Sequence, residues 1–321
     1  MRTRYQNLPN RAGVPSGWPC CIAAGKLRPV NTPTYLIDSS IFVFRAWFAL
    51  PETITCRDGH PANAAHGFVR FVHTLLQSER PARIAFAFDE SRGTSYRHAL
   101  YPAYKANRPP APEELKRQFG WCREFVNALG LAHVSSPTFE ADDLIGTLAA
   151  RERQEGRAVV LVTGDKDLSQ LVHEDDLWWD PHRSQRLNPQ GIEKRLGVRP
   201  DQVADQLALA GDKVDNIPGI PGVGMATAAR LLRRTDTLEA LLEDIPAIAH
   251  MPIRGAKRLM GLVDTHRDTV RLARQLTGIH CEAGLPAGLN LERRRPDGAR
   301  LGDLMDQLAL PPSRRFDWDR I

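Results

Sequence analysis

The sequence predicts an α/β fold, a mostly parallel sheet flanked by helices, with a smaller helical region after it. Three observations carry this. Short apolar runs alternate with helical periodicity from Thr34 to about Asp180. Several runs end on carboxylates, as in Tyr35-Leu36-Ile37-Asp38, Ile84-Ala85-Phe86-Ala87-Phe88-Asp89 and Val159-Val160-Leu161-Val162-Thr163-Gly164-Asp165. From about Gly191 onward the strand-like runs stop.

Taken in order, the first strand ends at Asp38, and Arg45 lies seven residues on, in the helix that follows. Residues 64–77 read as a helix with Phe68, Phe71, Val72, Leu75 and Leu76 at helical spacing. The second strand ends at Asp89. Residues 113–129 form a helix with Pro112 near its start and Gly130 as its stop. A short strand at 131–134 precedes a helix over 142–154, which ends at Gly156. Another strand ends near Thr163, and Leu177-Trp178-Trp179 makes one more. Residues 200–210, 226–233 and 237–242 read as short helices, and one further helix falls near 301–308. The expected divisions are a disordered extension (1–32), an α/β core (33–190), a helical region packed on it (191–285) and a C-terminal tail (286–321).

Hydrophobic content of 42% and charged content of 25% are those of an ordinary globular protein. No apolar run approaches the ~20 residues that span a bilayer. The cysteines (Cys20, Cys21, Cys56, Cys122, Cys281) show no zinc-type spacing, so reduced thiols in a cytoplasmic protein are expected. The net charge of +5 equals the contribution of Arg2, Arg4, Arg11, Lys26 and Arg28 in an acid-free N-terminus. Any polyanion-binding surface must therefore come from segregation of charge. Such segregation is present: Arg92, Arg97, Lys105, Arg108, Lys116 and Arg117 form a basic segment opposed only by Glu113 and Glu114, whereas residues 140–180 are strongly acidic.

Nine carboxylates fall into five clusters: Asp38; Asp89; Glu140, Asp142 and Asp143; Asp165 and Asp167; Asp212 and Asp215. In an open α/β sheet the functional crevice lies beyond the carboxyl ends of the strands. Acids gathered there raise one another's pKa. Hard divalent ions with oxygen ligands resolve the conflict, Mg²⁺ or Mn²⁺ being the natural choice. Glu140 and Asp143 share one face at a helix start, and Asp212 and Asp215 are likewise three apart. The Gly-rich run Ile217-Pro218-Gly219-Ile220-Pro221-Gly222-Val223-Gly224, followed by an Ala-rich helix with Thr227, lets backbone N–H groups approach phosphate closely. In the basic segment Arg97, Tyr101, Lys105 and Arg108 fit one helical face, but Pro102 breaks a continuous helix. Two short pieces fit better, with Tyr104 available to stack on a base or to pack. Arg45 can reach the same cleft.

Together these segments resemble the 5′-nuclease (flap endonuclease) family, as found at the N-terminus of bacterial DNA polymerase I and in stand-alone bacterial and phage 5′-3′ exonucleases. The likeness rests on Ile37-Asp38-Ser39-Ser40 with Arg45, Phe88-Asp89, Tyr104-Lys105-Ala106-Asn107-Arg108-Pro109-Pro110, Glu140-Ala141-Asp142-Asp143, Thr163-Gly164-Asp165-Lys166-Asp167, residues 211–224 and Arg254-Gly255-Ala256-Lys257. It covers residues 34–280 or so and implies a PIN-like nuclease core with a helix-three-turn-helix DNA-binding region. By this resemblance Asp38, Asp89, Glu140 and Asp142 hold one Mg²⁺, with Asp143 close behind, and Asp165, Asp167, Asp212 and Asp215 hold a second. Mn²⁺ could substitute. Lys105, Arg108 and Arg45 act on the scissile phosphate. Arg97 to Arg108 form a helical arch over the 5′ single strand, with Arg97 and Tyr104 contacting it. Gly219, Gly222, Gly224 and Thr227 grip duplex backbone, with K⁺ at the hairpin. The implied partner is DNA with a 5′ flap or a 5′ end at a duplex junction, bound by a monomer. The family has Gly where Ser39 stands, and no polymerase domain is expected after the helical region. Two other readings are a structure-specific flap-binding protein of weak catalysis and a metal-dependent ribonuclease on a similar sheet.

Overall fold

The computed structural model describes residues 32–90 and 95–318. The expected disordered extension, with its basic residues and Cys20 and Cys21, lies outside these, as does Arg92. Among the described residues six strands form one sheet in the order β3-β2-β1-β4-β5-β6. They are β1 (Thr34–Asp38), β2 (Arg83–Asp89), β3 (Ala132–Ser136), β4 (Val159–Val162), β5 (Leu177–Asp180) and β6 (Gln185–Leu187). All pairs are parallel except β5 with β6. From β1 the chain winds outward through β2 and β3, then returns to place β4 on the other side of β1. The carboxyl ends of β1 and β4 thus flank the switch point where an α/β sheet opens a crevice.

Both faces of the sheet are covered, as continuous apolar strands require. Tyr35, Ile37, Ile84, Phe86, Phe88, Val160 and Val162 pack on one side, against α1 (Ser39–Ala49), α2 (Asn63–Glu79) and α4 (Glu113–Ala128). Leu36, Ala85, Ala87 and Leu161 face the other, against α5 (Ala141–Gln154). Full burial of a large side chain such as Phe86 or Phe88 stabilises by about 1.5–3 kcal/mol. Between β2 and α4 the basic segment contributes only a short helix, α3 (Tyr96–Leu100), followed by turns. As the proline predicts, no continuous helix spans the segment among the described residues; of the two short pieces expected, only α3 is helical, and residues 102–107 are turns.

The helical region comprises α6 (Pro189–Leu196), α7 (Val203–Ala210), α8 (Met225–Thr235), α9 (Leu238–Glu243), α10 (Ala256–Thr265) and α11 (Arg267–Thr277). Its Leu207, Leu231, Val263 and Val270 share one apolar cluster with Leu36 and Leu144, so it packs directly on the α5 side of the sheet. Sequence reasoning overlooked β6, a three-residue polar edge strand, and α6, although Asn188 caps α6 and Gly197 ends it left-handed. It also overlooked α10 and α11, whose buried residues are sparse and which meet at His266 without a Gly or Pro boundary. The tail is part of the body. Ile84 N–H donates to the Leu291 carbonyl (2.8 Å), and α12 (Gly298–Gln307) buries Leu301, Leu304 and Met305 in the cluster that also holds Phe125 of α4.

Candidate active site

β1 delivers Asp38 at its last residue, buried at the start of α1. Its Oδ2 accepts from Thr163 Oγ1 (2.8 Å), and the same Thr163 oxygen accepts from the Asp165 N–H (2.9 Å). One hydroxyl at the end of β4 thereby fixes two acids from different strands. β2 delivers Asp89, whose N–H donates to Ser40 Oγ (3.1 Å) and whose Oδ1 accepts from the first N–H of α5, that of Ala141 (2.9 Å). The positive end of α5 thus faces a carboxylate. After β4, Asp165 and Asp167 are tied in a tight turn, with the Asp167 N–H donating to Asp165 Oδ1 (2.9 Å). Trp178 of β5 donates its indole N–H to the Asp165 carbonyl (2.8 Å) and holds this loop against the sheet.

The carboxyl groups act on one another. Burial, then the charges of Asp89 and Asp165, pushes Asp38 up to about 7. Asp142 is raised by burial and then by Asp38, Asp165 and Asp89. Asp167 is pushed up to about 7 by burial and Asp165, with Asp212 adding to it. These acids therefore form one electrostatic network across five segments of the chain. Two ammonium groups stand among them. Lys166 Nζ lies 3.1 Å from both Asp167 and Asp212, and Lys105 Nζ lies 2.8 Å from Glu140 and 3.7 Å from Asp215. Burial opposes ionisation of Glu140 and Asp212, but Lys105 and Lys166 outweigh it and hold both below their ordinary value. Among the described residues no three acidic groups are drawn tightly enough to form a ready ion cage. Lys105 and Lys166 supply countercharge among them. The donor set itself, all oxygen and anionic, suits a hard divalent cation.

The basic segment is docked on this cleft. Lys105, with its backbone left-handed (φ 53), donates its N–H to the Asp215 carbonyl (2.9 Å), and Asn216 Nδ2 donates to the Ala103 carbonyl (2.7 Å). Arg108 pairs with Asp215. Arg45 reaches the rim from α1. It is held bidentately by buried Asp180 (3.0 and 3.3 Å) and lies so close over Gly164 that a Cβ there would stand 2.1 Å from Nη2.

Four expected contacts are corrected by this geometry. Arg97 is not on the DNA-facing surface. It is 3% exposed and donates to Asp143 (2.7 and 2.8 Å), Glu140 (3.3 Å) and the Leu276 and Gly278 carbonyls (3.0 and 2.9 Å). Asp143 is correspondingly not free to meet an ion, since Arg97, the His280 N–H (2.9 Å) and the Glu140 N–H (3.1 Å) take its oxygens. Tyr104 is buried, and its hydroxyl is shared by Glu140 (2.9 Å) and Asp215 (3.2 Å), which leaves no face for a base. Gly219 serves packing, because a Cβ there would stand 2.2 Å from the Gly211 nitrogen at the end of α7. Gly222 (φ +81) and Gly224 face open space at the start of α8, where Thr227 is half-buried. Thr163 and Asp180 were not recognised from sequence as site residues. A hydroxyl residue ending a strand directly before Gly-Asp was the available signal for Thr163.

Residues 33–197 match the family model described as 5′-3′ exonuclease, N-terminal resolvase-like domain, and residues 198–298 match 5′-3′ exonuclease, C-terminal SAM fold. A 5′-3′ exonuclease of Aquifex aeolicus is 40% identical over 210 residues, 65% of this chain and 72% of that one. The DNA polymerase I of Pseudomonas aeruginosa is 39% identical over 256 residues, 79% of this chain and 28% of the polymerase. That of Mycobacterium tuberculosis is 42% identical over 218 residues, 66% of this chain and 24% of the polymerase. The chain thus spans about a quarter of the length of the polymerases it matches. Among solved structures, T5 5′-exonuclease with bound zinc superposes with a TM-score of 0.63 at 16% identity, covering 86% of this chain and 99% of that one. The catalytic core of Rad2 in complex with DNA substrate gives 0.61 at 16% identity, covering 90% and 91%. These two structures share the fold. With both domain models matched in order, and a stand-alone relative at 40% identity, the chain belongs to the 5′-3′ exonuclease family.

Proposed function

We propose that this protein hydrolyses DNA phosphodiester bonds as a Mg²⁺-dependent 5′-3′ exonuclease and flap endonuclease, a cytoplasmic monomer acting at 5′ flaps and 5′ ends at duplex junctions. The observation that carries the reading is the convergence of Asp38, Asp89, Asp142, Asp165, Asp167 and Asp212 into one repelling network, at the switch point of the sheet, beside a docked cationic segment.

Asp38, Asp89, Glu140 and Asp142 would hold one divalent ion, and Asp165, Asp167, Asp212 and Asp215 the other, with Mn²⁺ able to replace Mg²⁺. Bound there, the ions supply a water of lowered pKa and stabilise the oxygens of an in-line displacement. The chain's own groups do the rest. Thr163 keeps Asp38 and Asp165 in register. Lys105, Arg108 and Arg45 would present positive charge where the phosphoryl oxygens gain negative charge. In the resting protein Lys105 and Arg108 neutralise Glu140 and Asp215. With Glu140 and Asp215 engaged elsewhere, Lys105 and Arg108 would be available to substrate. The open backbone at Gly222 and Gly224, before α8, suits a sequence-independent grip on duplex phosphate. A K⁺ ion at that hairpin belongs to the same reading, and duplex affinity in K⁺ compared with Na⁺ tests it.

The deciding assay is cleavage of a labelled 5′-flap duplex with Mg²⁺, alongside Asp165→Ala. Equal activity in the variant removes the mechanism. Tight flap binding with no product from the unaltered protein removes the nuclease reading itself.

A further inference from the structure

A second charged feature lies at the other end of the sheet. A groove of about 1090 Å³ is lined by Arg80, Arg83, Arg293, Arg294, Arg295 and Trp318, among others, where β1 and β2 begin. At about 3.3 Å per residue, the path from Thr32 to Asp38 sets it about 20 Å from the acid cleft. Glu292 is the one acid in its described lining, and it is engaged with Arg83, which also binds Glu152. Arg80, Arg294 and Arg295 are exposed, and their guanidinium groups have no ion pair or hydrogen bond among the described residues.

These arginines are held in place. The Arg294 N–H donates to the Gly130 carbonyl (3.2 Å) and the Asp297 N–H to the Ala128 carbonyl (2.8 Å). At Gly130 (φ +70) a Cβ would stand 2.8 Å from the Arg294 carbonyl, so the segment is pressed onto the end of α4 and the turn after it. Arg80 ends α2 in the left-handed conformation (φ 45, ψ 49), a position that glycine fills at no steric cost. An arginine kept in a strained backbone setting, beside two others on a pinned segment, points from strain to function.

We infer that this groove binds the phosphodiester backbone of a single-stranded nucleic-acid arm, as a contact separate from the acid cleft. Guanidinium forks match phosphate oxygens bidentately. Trp318 is itself buried, so among the described residues the groove offers no exposed aromatic platform, and the contact is independent of base sequence. A duplex stays straight over roughly 150 base pairs and does not turn around a body about 20 Å deep, whereas a single strand does.

The test uses the full chain in EDTA, where fluorescence anisotropy reads binding without cleavage and so independently of the nuclease reading. Two duplexes are compared, one with a single-nucleotide 5′ arm and one with an arm of about 20 nucleotides, long enough to leave the cleft and cover a site. The unaltered chain is expected to bind the long arm more tightly. Arg80→Gln/Arg294→Gln/Arg295→Gln is expected to lose that advantage, about tenfold at low salt, and to reduce the salt slope by about 2, at about 0.7 per contact. It should bind the short arm as the unaltered chain does. Arg80→Gly alone should melt higher yet bind the long arm more weakly, a combination that a purely structural arginine does not produce. Unchanged long-arm affinity and salt slope in the triple variant overturns the inference. So does loss of binding to an oligo-glutamate peptide with nucleic-acid binding intact, since that assigns the groove to an acidic protein segment.

Discussion

Replacing Arg97 by Ala separates a buried clamp from a surface DNA contact. Its guanidinium makes five contacts of 2.7–3.3 Å, joining the start of α5 to the end of α11. Its removal leaves Asp143, 0% exposed, with two backbone N–H donors and no countercharge, and it strips a partner from the Leu276 and Gly278 carbonyls. Breaking a buried ion pair from one side costs about 3–5 kcal/mol. In a body of this size each kcal/mol moves the melting temperature by about 2–4 °C, so a fall of roughly 6–20 °C is expected. Thermal unfolding in EDTA reads it without interference from ions. Because the cost lies in the orphaned carboxylate, Arg97→Ala/Asp143→Ala should be less destabilised than the sum of the single variants. If Arg97→Ala melts within about 1 °C of the unaltered chain but loses flap affinity, the clamp is the wrong account and the side chain is a substrate contact after all.

Three other outcomes follow from the charges and the packing of the molecule. Asp38 titrates at about 7 instead of 3.8, so the metal-free folded chain binds a proton that the unfolded chain releases, and its stability should fall as pH rises from about 4 to about 7. Mg²⁺ should therefore raise the melting temperature more at pH 8 than at pH 6, and an equal or smaller effect at pH 8 contradicts the network. Burial opposes ionisation of Glu152, but Arg157, Arg83 and Thr34 hold it down to about 2 from 4.5, so its contribution is full above 4.5 and is lost as pH falls toward 2. The loss is up to about 3 kcal/mol, and Glu152→Gln should flatten acid unfolding measured by circular dichroism. Gly219→Ala drives a Cβ into the end of α7 and should cost about 1–3 kcal/mol in chemical denaturation. A neutral result there would return Gly219 to the ligand-facing set.

The sheet and its cleft were legible because both are nearly local. An apolar run ending on an acid places that acid at a strand end, and parallel winding brings strand ends together. Residue-level roles were harder for identifiable reasons. Asp142 and Asp143 are adjacent in sequence, yet successive helical residues point about 100° apart. One meets the cleft and the other meets Arg97, and no spacing argument says which. Arg97 pairs with an acid 46 positions away, so its burial is a tertiary fact. Gly219 and Gly222 are alike in composition, and only the approach of the α7 end to one and the open space at the other tell them apart.

The indole of Trp178 bridges the sheet to the turn bearing Asp165 and Asp167. Emission from a buried tryptophan responds to its polar neighbours, so this turn carries its own optical gauge. If the cleft takes up ions as proposed, a shift of the turn would alter the bond at the indole nitrogen, and the part of the emission lost in a Trp178→Phe variant would report it.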